Sequence, residues 1–440
     1  MKLNKIIQAI FVGAGLLCLA CSIQQGEQKM TSESHPGTGS TNVGGDGQRK
    51  EIRTTKAFTE LPRARTGTTG VVTSRPYVND GRNGRCDRSF PAKRIWKIAW
   101  KKEVQKELKP RHVICDKRFT AIQGIDMWEA FSAMGERLEV WELGESDITY
   151  DAEKGSVYYM DRNGLLNATH LETKQLKFAI SIHLSDSYHR TFALRSGDML
   201  YLAGVQLAKN PHDAPKYSIL EMHDLKKTER RNDLGMPEEE TLTAERKFSS
   251  ATQFIAYQRD TFVVALPDSI MIVDKRLQTR TVLTGSFFPK SMSVDESSRI
   301  YMIVQKDEGN ALWIVDPDGT RMLEYPLPAD FGEPAAPPII GYDHSVYLLS
   351  SSQILALEGN GTFAWQRKSA GDFIGGIISS DNRLLVSESS RITAYDKKGD
   401  VESIFEFGQE KLSTPPAMRE DGAILVAGEK SLFCLEGKEK

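Results

Sequence analysis

Two histidines and an aspartate that could bind a metal ion or transfer a proton lie close together in the stretch SIHLSDSYHR, at His183, Asp186 and His189. Imidazole and carboxylate groups are common zinc ligands and common general acids and bases. A solvated loop between two strands is the favoured interpretation of so polar a stretch. Three further histidines fall at different points of the chain and predict surface strand or turn positions: His170, His223 and His344.

Aspartates also recur at comparable places along the chain, and such carboxylates could converge on one site to hold calcium or to act in hydrolysis. Each of them precedes a short apolar segment and stands at a turn, where a carboxylate accepts hydrogen bonds from nearby backbone amides. Turn capping is therefore the favoured interpretation, and a catalytic or metal-binding role is the alternative. The set comprises Asp151, Asp295, Asp343, Asp381 and Asp421.

Five cysteines are present, and they are not spaced as a zinc or c-type haem motif would require. Cys86 and Cys115 could form a disulfide that ties down the start of the folded body. Cys434 lies in an apolar run and is expected to be a buried free thiol. No residue is assigned as catalytic, cofactor-binding or metal-binding from the sequence.

The N-terminus predicts the cellular compartment. Lys2 and Lys5 form a short positive region, and residues 6–20 form an apolar run typical of a secretory signal. The stretch LLCLAC that ends at Cys21 resembles a bacterial lipobox, although Cys18 stands where that family usually has leucine. The resemblance implies a signal peptide over residues 1–20 and diacylation of Cys21. The alternative is an ordinary or uncleaved signal peptide with an incidental cysteine.

Residues 21–90 are expected to be a flexible tether, because the part 31–48 is rich in Ser, Thr and Gly and cannot form a packed core. Ser22 replaces the aspartate that usually retains lipoproteins at the inner membrane. An outer-membrane anchor is therefore expected, with the periplasmic side favoured over the cell surface. The lipid on Cys21 is expected to be the only membrane contact. The net charge of −2 gives no electrostatic reason to expect nucleic-acid binding.

The second half of the chain repeats one pattern of short apolar strands separated by Asp, Asn, Ser and Gly turns, at a spacing of about 40 residues. The clearest copies are residues 337–368, 376–407 and 415–438. Seven copies can be read from residue 148 onwards, and residues 113–143 match the pattern poorly. Short strands of this composition predict an all-β fold. Since a single small sheet would expose two apolar faces, stacking of the copies around an axis is expected.

The sequence therefore predicts a β-propeller over residues 91–440, built from four-stranded blades, with seven or eight blades. Residues 94–104 are expected to supply the missing fourth strand of the last blade and so to close the ring, with an independent cap strand as the alternative. Asn360-Gly361 and Asn163-Gly164 predict type I′ hairpin turns. The aromatic residue after each such turn is expected to fill the gap to the neighbouring blade.

The repeat resembles the quinoprotein-type (PQQ-like) propeller repeat, and one copy carries five of its characteristic residues: Pro338, Tyr347, Ala356, Gly361 and Trp365. In organisation, an anchored propeller is similar to the propeller lipoprotein of the outer-membrane β-barrel assembly machinery. A quinone-dependent dehydrogenase of this repeat class would need quinone contacts, a calcium site and usually adjacent cysteines. The body of the chain has no adjacent cysteines, and no cofactor is expected.

Two functions from different classes remain. The first is a non-enzymatic scaffold in the bacterial cell envelope that binds another envelope protein or an extended peptide. The second is an enzyme or carbohydrate-binding propeller with its site at the central channel. The sequence favours the scaffold, because it contains an anchor, a tether and a repeat but no recognisable catalytic constellation.

Overall fold

The computed structural model describes three short stretches on the N-terminal side and then most of residues 94–439. The short stretches are 71–73, 85–86 and 89–90. The gaps after residue 94 are 117, 125–126, 143–148, 152–154, 161–164, 172, 174–175, 182–187, 197, 207–217, 229–241, 251–253, 259 and 370. Cys21, the signal peptide, His183, Asp186 and Asn163-Gly164 all lie outside the described residues.

The described residues form eight antiparallel sheets of four strands, numbered here in chain order, and two of these sheets gain a fifth strand. Three strands precede the first repeat: β1 (Val71–Thr73), β2 (Arg85–Cys86) and β3 (Arg94–Glu103). Sheet 1 contains β4 (His112–Asp116), β5 (Phe119–Gln123), β6 (Met127–Ser132) and β7 (Arg137–Glu142). Sheet 2 contains β8 (Thr149–Asp151), β9 (Ser156–Met160), β10 (Leu165–His170) and β11 (Leu176–Ser181).

The next three sheets follow the same order, with one 3₁₀ turn described at Leu225–Thr228. Sheet 3 contains β12 (Tyr188–Ser196), β13 (Met199–Gln206), β14 (Ser218–Asp224) and β15 (Leu242–Phe248). Sheet 4 contains β16 (Phe254–Gln258), β17 (Thr261–Leu266), β18 (Ser269–Asp274) and β19 (Thr279–Thr284). Sheet 5 contains β20 (Phe288–Val294), β21 (Ile300–Lys306), β22 (Gly309–Val315) and β23 (Arg321–Pro326).

The last three sheets correspond to the clearest sequence copies. Sheet 6 contains β24 (Ile339–Ile340), β25 (Val346–Leu349), β26 (Gln353–Leu357) and β27 (Phe363–Lys368). Sheet 7 contains β28 (Phe373–Ser379), β29 (Leu384–Glu388), β30 (Arg391–Tyr395) and β31 (Val401–Glu406). Sheet 8 contains β32 (Ala417–Met418), β33 (Ile424–Ala427) and β34 (Ser431–Glu439), and its fourth strand is β3.

Burial separates the inside of the ring from its circumference. The second and third strands of the sheets are almost fully buried, as β5 and β26 illustrate. The fourth strands, such as β19, alternate between exposed and half-buried residues and therefore lie at the circumference. The strand order then places the first strand of each sheet at the inner edge. The molecule is an eight-bladed β-propeller, so the higher of the two predicted blade numbers is correct.

Apolar side chains from neighbouring sheets pack together and hold the blades in sequence. Met292 of sheet 5 shares a cluster with Ile272 of sheet 4, and Trp365 of sheet 6 shares one with Ile378 of sheet 7. Serine hydroxyls add links between inner strands: the Ser293 hydroxyl donates to the Pro338 carbonyl at 2.7 Å. Because each face of a sheet is covered by the next sheet, no blade needs a core of its own.

The predicted ring closure is confirmed. β3 pairs antiparallel with β34 along its length, from Arg94 opposite Glu439 to Glu103 opposite Ser431. Sheet 8 in turn packs against sheet 1, since Leu425 and Val113 belong to one buried cluster. The buried Arg419 guanidinium spans the same seam and donates to the Ala133 carbonyl at 2.8 Å. β3 therefore completes the last blade and removes its unpaired edge.

The predicted type I′ turn at Asn360-Gly361 is wrong. Gly361 has a positive φ of 83°, but Asn360 is not among the residues with positive φ. The Gly361 N–H donates to the Glu358 carbonyl at 2.8 Å, and the register shifts next to the turn. This is the pattern of a type I turn followed by a left-handed glycine bulge, which requires positive φ at one residue only.

The aromatic residue after the turn does fill the gap to the next blade, as predicted. The Trp365 indole N–H donates to the Lys397 carbonyl in the following sheet at 2.9 Å. Gly399, in the same turn as Lys397, faces the Trp365 ring so closely that a Cβ there would lie 2.5 Å from Cδ2. Trp100 meets the turn of sheet 1 in the same way, with its indole N–H 3.2 Å from the Ala133 carbonyl.

Among the described residues, no helix is long and apolar enough to cross a membrane.

Candidate functional site

The recurrent aspartates lie at the turn between the first and second strands of their sheets. Asp295 Oδ1 accepts the backbone N–H groups of Ser297 at 2.8 Å and Arg299 at 3.0 Å. Asp343 and Asp421 accept one amide each, at 3.1 Å, two residues further on. Turn capping is therefore confirmed for these three aspartates. The side chain of Asp151 lies outside the described part of the chain.

Ion pairs engage the same carboxylates, between neighbouring blades for Asp343 and within a single turn for Asp421. Lys397 Nζ of sheet 7 lies 2.6 Å from Asp343 Oδ2 of sheet 6. Burial raises the pKa of Asp343, but hydrogen bonds from Lys397 and Ser345 outweigh it and hold that pKa below its ordinary value. Asp421 is likewise paired with Arg419 at 2.7 Å, and its pKa is lowered despite the opposing effect of burial. These carboxylates are charged and already engaged at neutral pH.

Asp381 differs from the other turn aspartates, because it accepts a backbone N–H from the N-terminal side of the chain. Its Oδ1 receives the Phe90 amide at 3.1 Å and the Ser379 hydroxyl at 2.5 Å. Its other oxygen pairs with Arg383, whose Nε is 2.6 Å from Glu402. Asp381 therefore fixes a separate segment at the inner part of sheet 7.

That segment adds a strand to the inner edge of the ring. β2 runs parallel to β28, with Arg85 opposite Ile378 and Cys86 opposite Ser379. Four positions after Cys86, Phe90 stacks on Trp96 with ring centroids 5.0 Å apart. Cys86 and Phe90 are both buried in the cluster between sheets 7 and 8.

A second stretch of the chain uses the inner edge of sheet 1. β1 pairs antiparallel with β4, through Val71 opposite Asp116 and Thr73 opposite Cys115. Both stretches belong to residues 21–90, which the sequence assigns to the tether. Sequence reasoning missed these contacts, because pairings of two or three residues carry no periodicity that could reveal them.

The histidines are not brought together in the described structure. His189 lies in β12, and His223 lies in β14 of the same sheet. The prediction that His223 is a surface residue is wrong: it is buried, with Nε2 3.2 Å from Glu221 Oε2. His344 stands in a turn at a φ of 65°, as predicted.

The three cysteines of the body are all buried, at different places. Cys86 belongs to the cluster between sheets 7 and 8, whereas Cys115 and Cys434 share the cluster between sheets 8 and 1. Burial raises the pKa of the Cys434 thiol to about 12, even though the Arg419 guanidinium opposes this shift. Cys434 therefore stays protonated and unreactive in the folded protein. A Cys86–Cys115 disulfide stays a prediction.

Three turn aspartates and one inner edge that a calcium-bound quinone could use are already engaged by the chain itself. Such a group would need carboxylates and inner strands that are open to a ligand. Here Asp295, Asp343 and Asp421 are held by backbone amides, and β2 lies on the inner edge of β28. Within the described ranges, no group of three or more His, Cys, Asp or Glu side chains could hold a metal ion.

Comparison with protein-family models and with curated proteins finds no match for this sequence. The structure, in contrast, is similar to several solved propellers. The quinohemoprotein alcohol dehydrogenase ADHIIG from Pseudomonas putida HK5 superimposes with a TM-score of 0.60 at 9% identity, over 84% of this chain and 81% of that chain. The quinohemoprotein alcohol dehydrogenase from Comamonas testosteroni gives a TM-score of 0.59 at 10% identity, over 86% and 83% of the two chains.

BamB from Moraxella catarrhalis is similar over its whole length. The comparison gives a TM-score of 0.51 at 11% identity and covers 78% of this chain and 100% of that chain. At these identities the likeness concerns the fold and carries no activity with it. The chain therefore has the PQQ-like β-propeller fold that BamB and the quinohemoprotein alcohol dehydrogenases share.

Proposed function

We propose that this protein is a bacterial lipoprotein whose propeller acts as a non-enzymatic protein-binding scaffold in the cell envelope. The observation that carries the proposal is the fold: the likeness to BamB extends over the whole of that chain. Two of the eight inner edges support it as well, because β4 and β28 each pair with an added strand from the N-terminal side of the chain. Strand pairing of this kind is a common mode of peptide recognition.

The anchor belongs to the same proposal and rests on the sequence. Cys21 follows an apolar run that resembles a lipoprotein signal, and Ser22 favours the outer membrane. Residues 1–20 would be removed, residues 21–90 would connect the lipid to the propeller, and the propeller would span residues 91–440. The periplasmic side is favoured, and the cell surface is the alternative orientation.

An enzyme or carbohydrate-binding protein with a site at the central channel is the second candidate. It is favoured by the higher TM-scores of the two quinohemoprotein alcohol dehydrogenases. Against it stand the turn carboxylates, which are occupied by backbone amides and by Lys397 and Arg419. A group that is already neutralised by a fixed partner is a poor general acid, general base or calcium ligand.

Affinity capture from detergent-solubilised envelopes, with the intact chain as bait, tests the scaffold. We expect a stable protein partner to be retained by the wild-type chain. A Cys21→Ser chain is the matched control, and it should lose membrane attachment while its propeller still melts as the wild type does. Mass spectrometry of the wild-type chain should find a mature N-terminus at an acylated Cys21. Recovery of a glycan without any protein partner would favour the second candidate.

A further inference from the structure

The inner edge of sheet 7 serves as a strand-pairing surface for another part of the chain. β28 pairs with β29 on one side, and β2 occupies the other side, which is the inner edge of that sheet. An inner edge presents backbone N–H and C=O groups that any extended chain can satisfy. β1 on β4 shows that a second inner edge of the same ring takes up a strand in the same manner.

Side chains give the pairing at sheet 7 a defined pattern. Cys86 is 1% exposed and Phe90 is 2% exposed, so both side chains are bound within the cluster between sheets 7 and 8. Trp96 forms the platform for the Phe90 ring, at an interplanar angle of 15°. The site therefore accepts a small residue followed, four positions later, by an aromatic residue.

Two polar contacts fix the position of the aromatic residue along the edge. Asp381 Oδ1 accepts the Phe90 N–H at 3.1 Å, and the hydroxyls of Ser89 and Ser380 lie 3.3 Å apart. The first contact uses the backbone of the bound segment, so any residue except proline could supply it. Recognition of this type depends on the backbone of the bound segment and on the side chains at two of its positions, as it does at strand-addition sites.

The pairing of β2 is short compared with the pairing that closes the ring. β2 contributes only Arg85 and Cys86 to its ladder, whereas β3 pairs with β34 from Arg94 to Glu103. The two pairings involve different sheets, because β28 belongs to sheet 7 and β34 to sheet 8. Departure of β2 and Phe90 therefore leaves the pairing that closes the ring in place.

We propose that the inner edge of β28, together with Asp381 and the Trp96 platform, is a docking site for an extended peptide, and that β2 and Phe90 occupy it in the free protein. The partner peptide adds a strand parallel to β28, with a small side chain at the position of Cys86 and an aromatic one at that of Phe90. This inference rests on the proposed protein-binding function and specifies the chemical class of the partner.

A labelled copy of the chain's own segment is a suitable probe, because it needs no knowledge of the partner. The probe is a fluorescent peptide of residues 83–92 with Cys86→Ala to prevent oxidation. Fluorescence anisotropy would measure its binding to the full wild-type chain and to a full Phe90→Ala chain. We expect at least about tenfold tighter binding to Phe90→Ala, because the competing internal segment has lost its main apolar contact.

Two controls use the same measurement. A probe that itself carries Phe90→Ala should bind the Phe90→Ala chain about tenfold more weakly than the first probe does. A Phe363→Ala chain, altered at an exposed phenylalanine in sheet 6, should bind the first probe as the wild type does. Equal binding to the wild-type and Phe90→Ala chains, or no binding to either, would overturn the proposal.

If the Phe90→Ala chain does not fold, an Asp381→Asn chain replaces it, because asparagine keeps the size of the side chain and removes the charged acceptor. Its internal segment should be held less tightly, so backbone amides at Cys86 and Phe90 should exchange hydrogen faster than in the wild type. Unchanged exchange at both amides would also count against the proposal. A failed probe experiment leaves the capture experiment unaffected, so the two proposals can fail separately.

Discussion

At the scale of single residues, Glu388 at the end of β29 is a polar group held by three neighbouring side chains. Its carboxylate is buried and accepts hydrogen bonds from the hydroxyls of Ser369 and Thr393 and from the Arg391 guanidinium, each at 2.7 Å. Burial raises the pKa of Glu388, but these three donors outweigh it and lower the pKa below its ordinary value. The folded protein therefore prefers Glu388 in its charged form.

A Glu388→Gln chain should be less stable than the wild type at pH 7 and less sensitive to acid. Because the folded pKa is lowered, the stabilisation is fully present above the unfolded pKa of about 4.3 and is lost as the pH falls through the folded value. Thermal midpoints measured between pH 7 and pH 3 should therefore fall less for Glu388→Gln than for the wild type.

Glu429 provides the matched control for that experiment. Its side chain is 59% exposed, and its ion pair with Lys411 is long, at 3.9 Å. An exposed pair of this kind contributes little to stability. Glu429→Gln should therefore reproduce the wild-type midpoints across the range. If Glu388→Gln lost as much stability on acidification as the wild type, the assignment of Glu388 as an acid-sensitive group would be wrong.

At the scale of elements, the turn between the third and fourth strands couples each blade to the one before it. Gly399 is placed under the Trp365 ring, and Gly319 is placed under Thr281 in the same way. Both glycines have positive φ. Because glycine has no side chain, it permits both this turn geometry and the close contact with the preceding blade. Each turn is therefore both a reversal of the chain and a contact between blades.

Gly399→Ala should destabilise the protein more than Gly408→Ala. Both substitutions force alanine into a left-handed conformation, at φ values of 78° and 67°, at a cost of about 1–2 kcal/mol. A Cβ at Gly399 would also displace the Trp365 ring, whereas a Cβ at Gly408 meets nothing within 4 Å. Urea unfolding followed by tryptophan fluorescence would compare the two. Equal losses would show that contact with Trp365 adds nothing to the effect of backbone strain.

The strands and their repeat could be predicted from the sequence, since each copy alternates apolar segments with turn residues. Sheet 1 is the weakest prediction, because residues 113–143 match the repeated pattern poorly. The type of turn at Asn360-Gly361 could not be predicted, because the same dipeptide suits two turn geometries. Which one forms depends on the register of the strands on either side.

At the scale of the whole molecule, closure depends on a strand that lies far from sheet 8 in the sequence. A chain that lacks residues 94–100 should melt at a much lower temperature than the wild type, or not fold at all. The deletion removes most of β3, including Trp96 and Trp100, which pack on the two faces of sheet 8. Differential scanning calorimetry would measure the change.

Deletion of residues 31–37, which has the same length, is the control and should leave the melting temperature unchanged. An unaltered melting temperature after deletion of residues 94–100 would contradict the role of β3 in closure. The closing strand could be predicted, because a blade that ends one strand early requires a fourth strand from elsewhere. The segment at Cys86 and Phe90 could not, since its position depends on contacts that exist only once the ring has formed.

The pairing of Arg94 with Glu439 also has a kinetic consequence. Sheet 8 cannot be completed until β34 has been synthesised, so β3 stays without its partner strand in the nascent chain while the other seven blades assemble. Contacts between such distant residues slow folding and prolong the exposure of unpaired strands to aggregation. We therefore expect maturation of this protein to be slow and to benefit from chaperones that hold the unfinished ring.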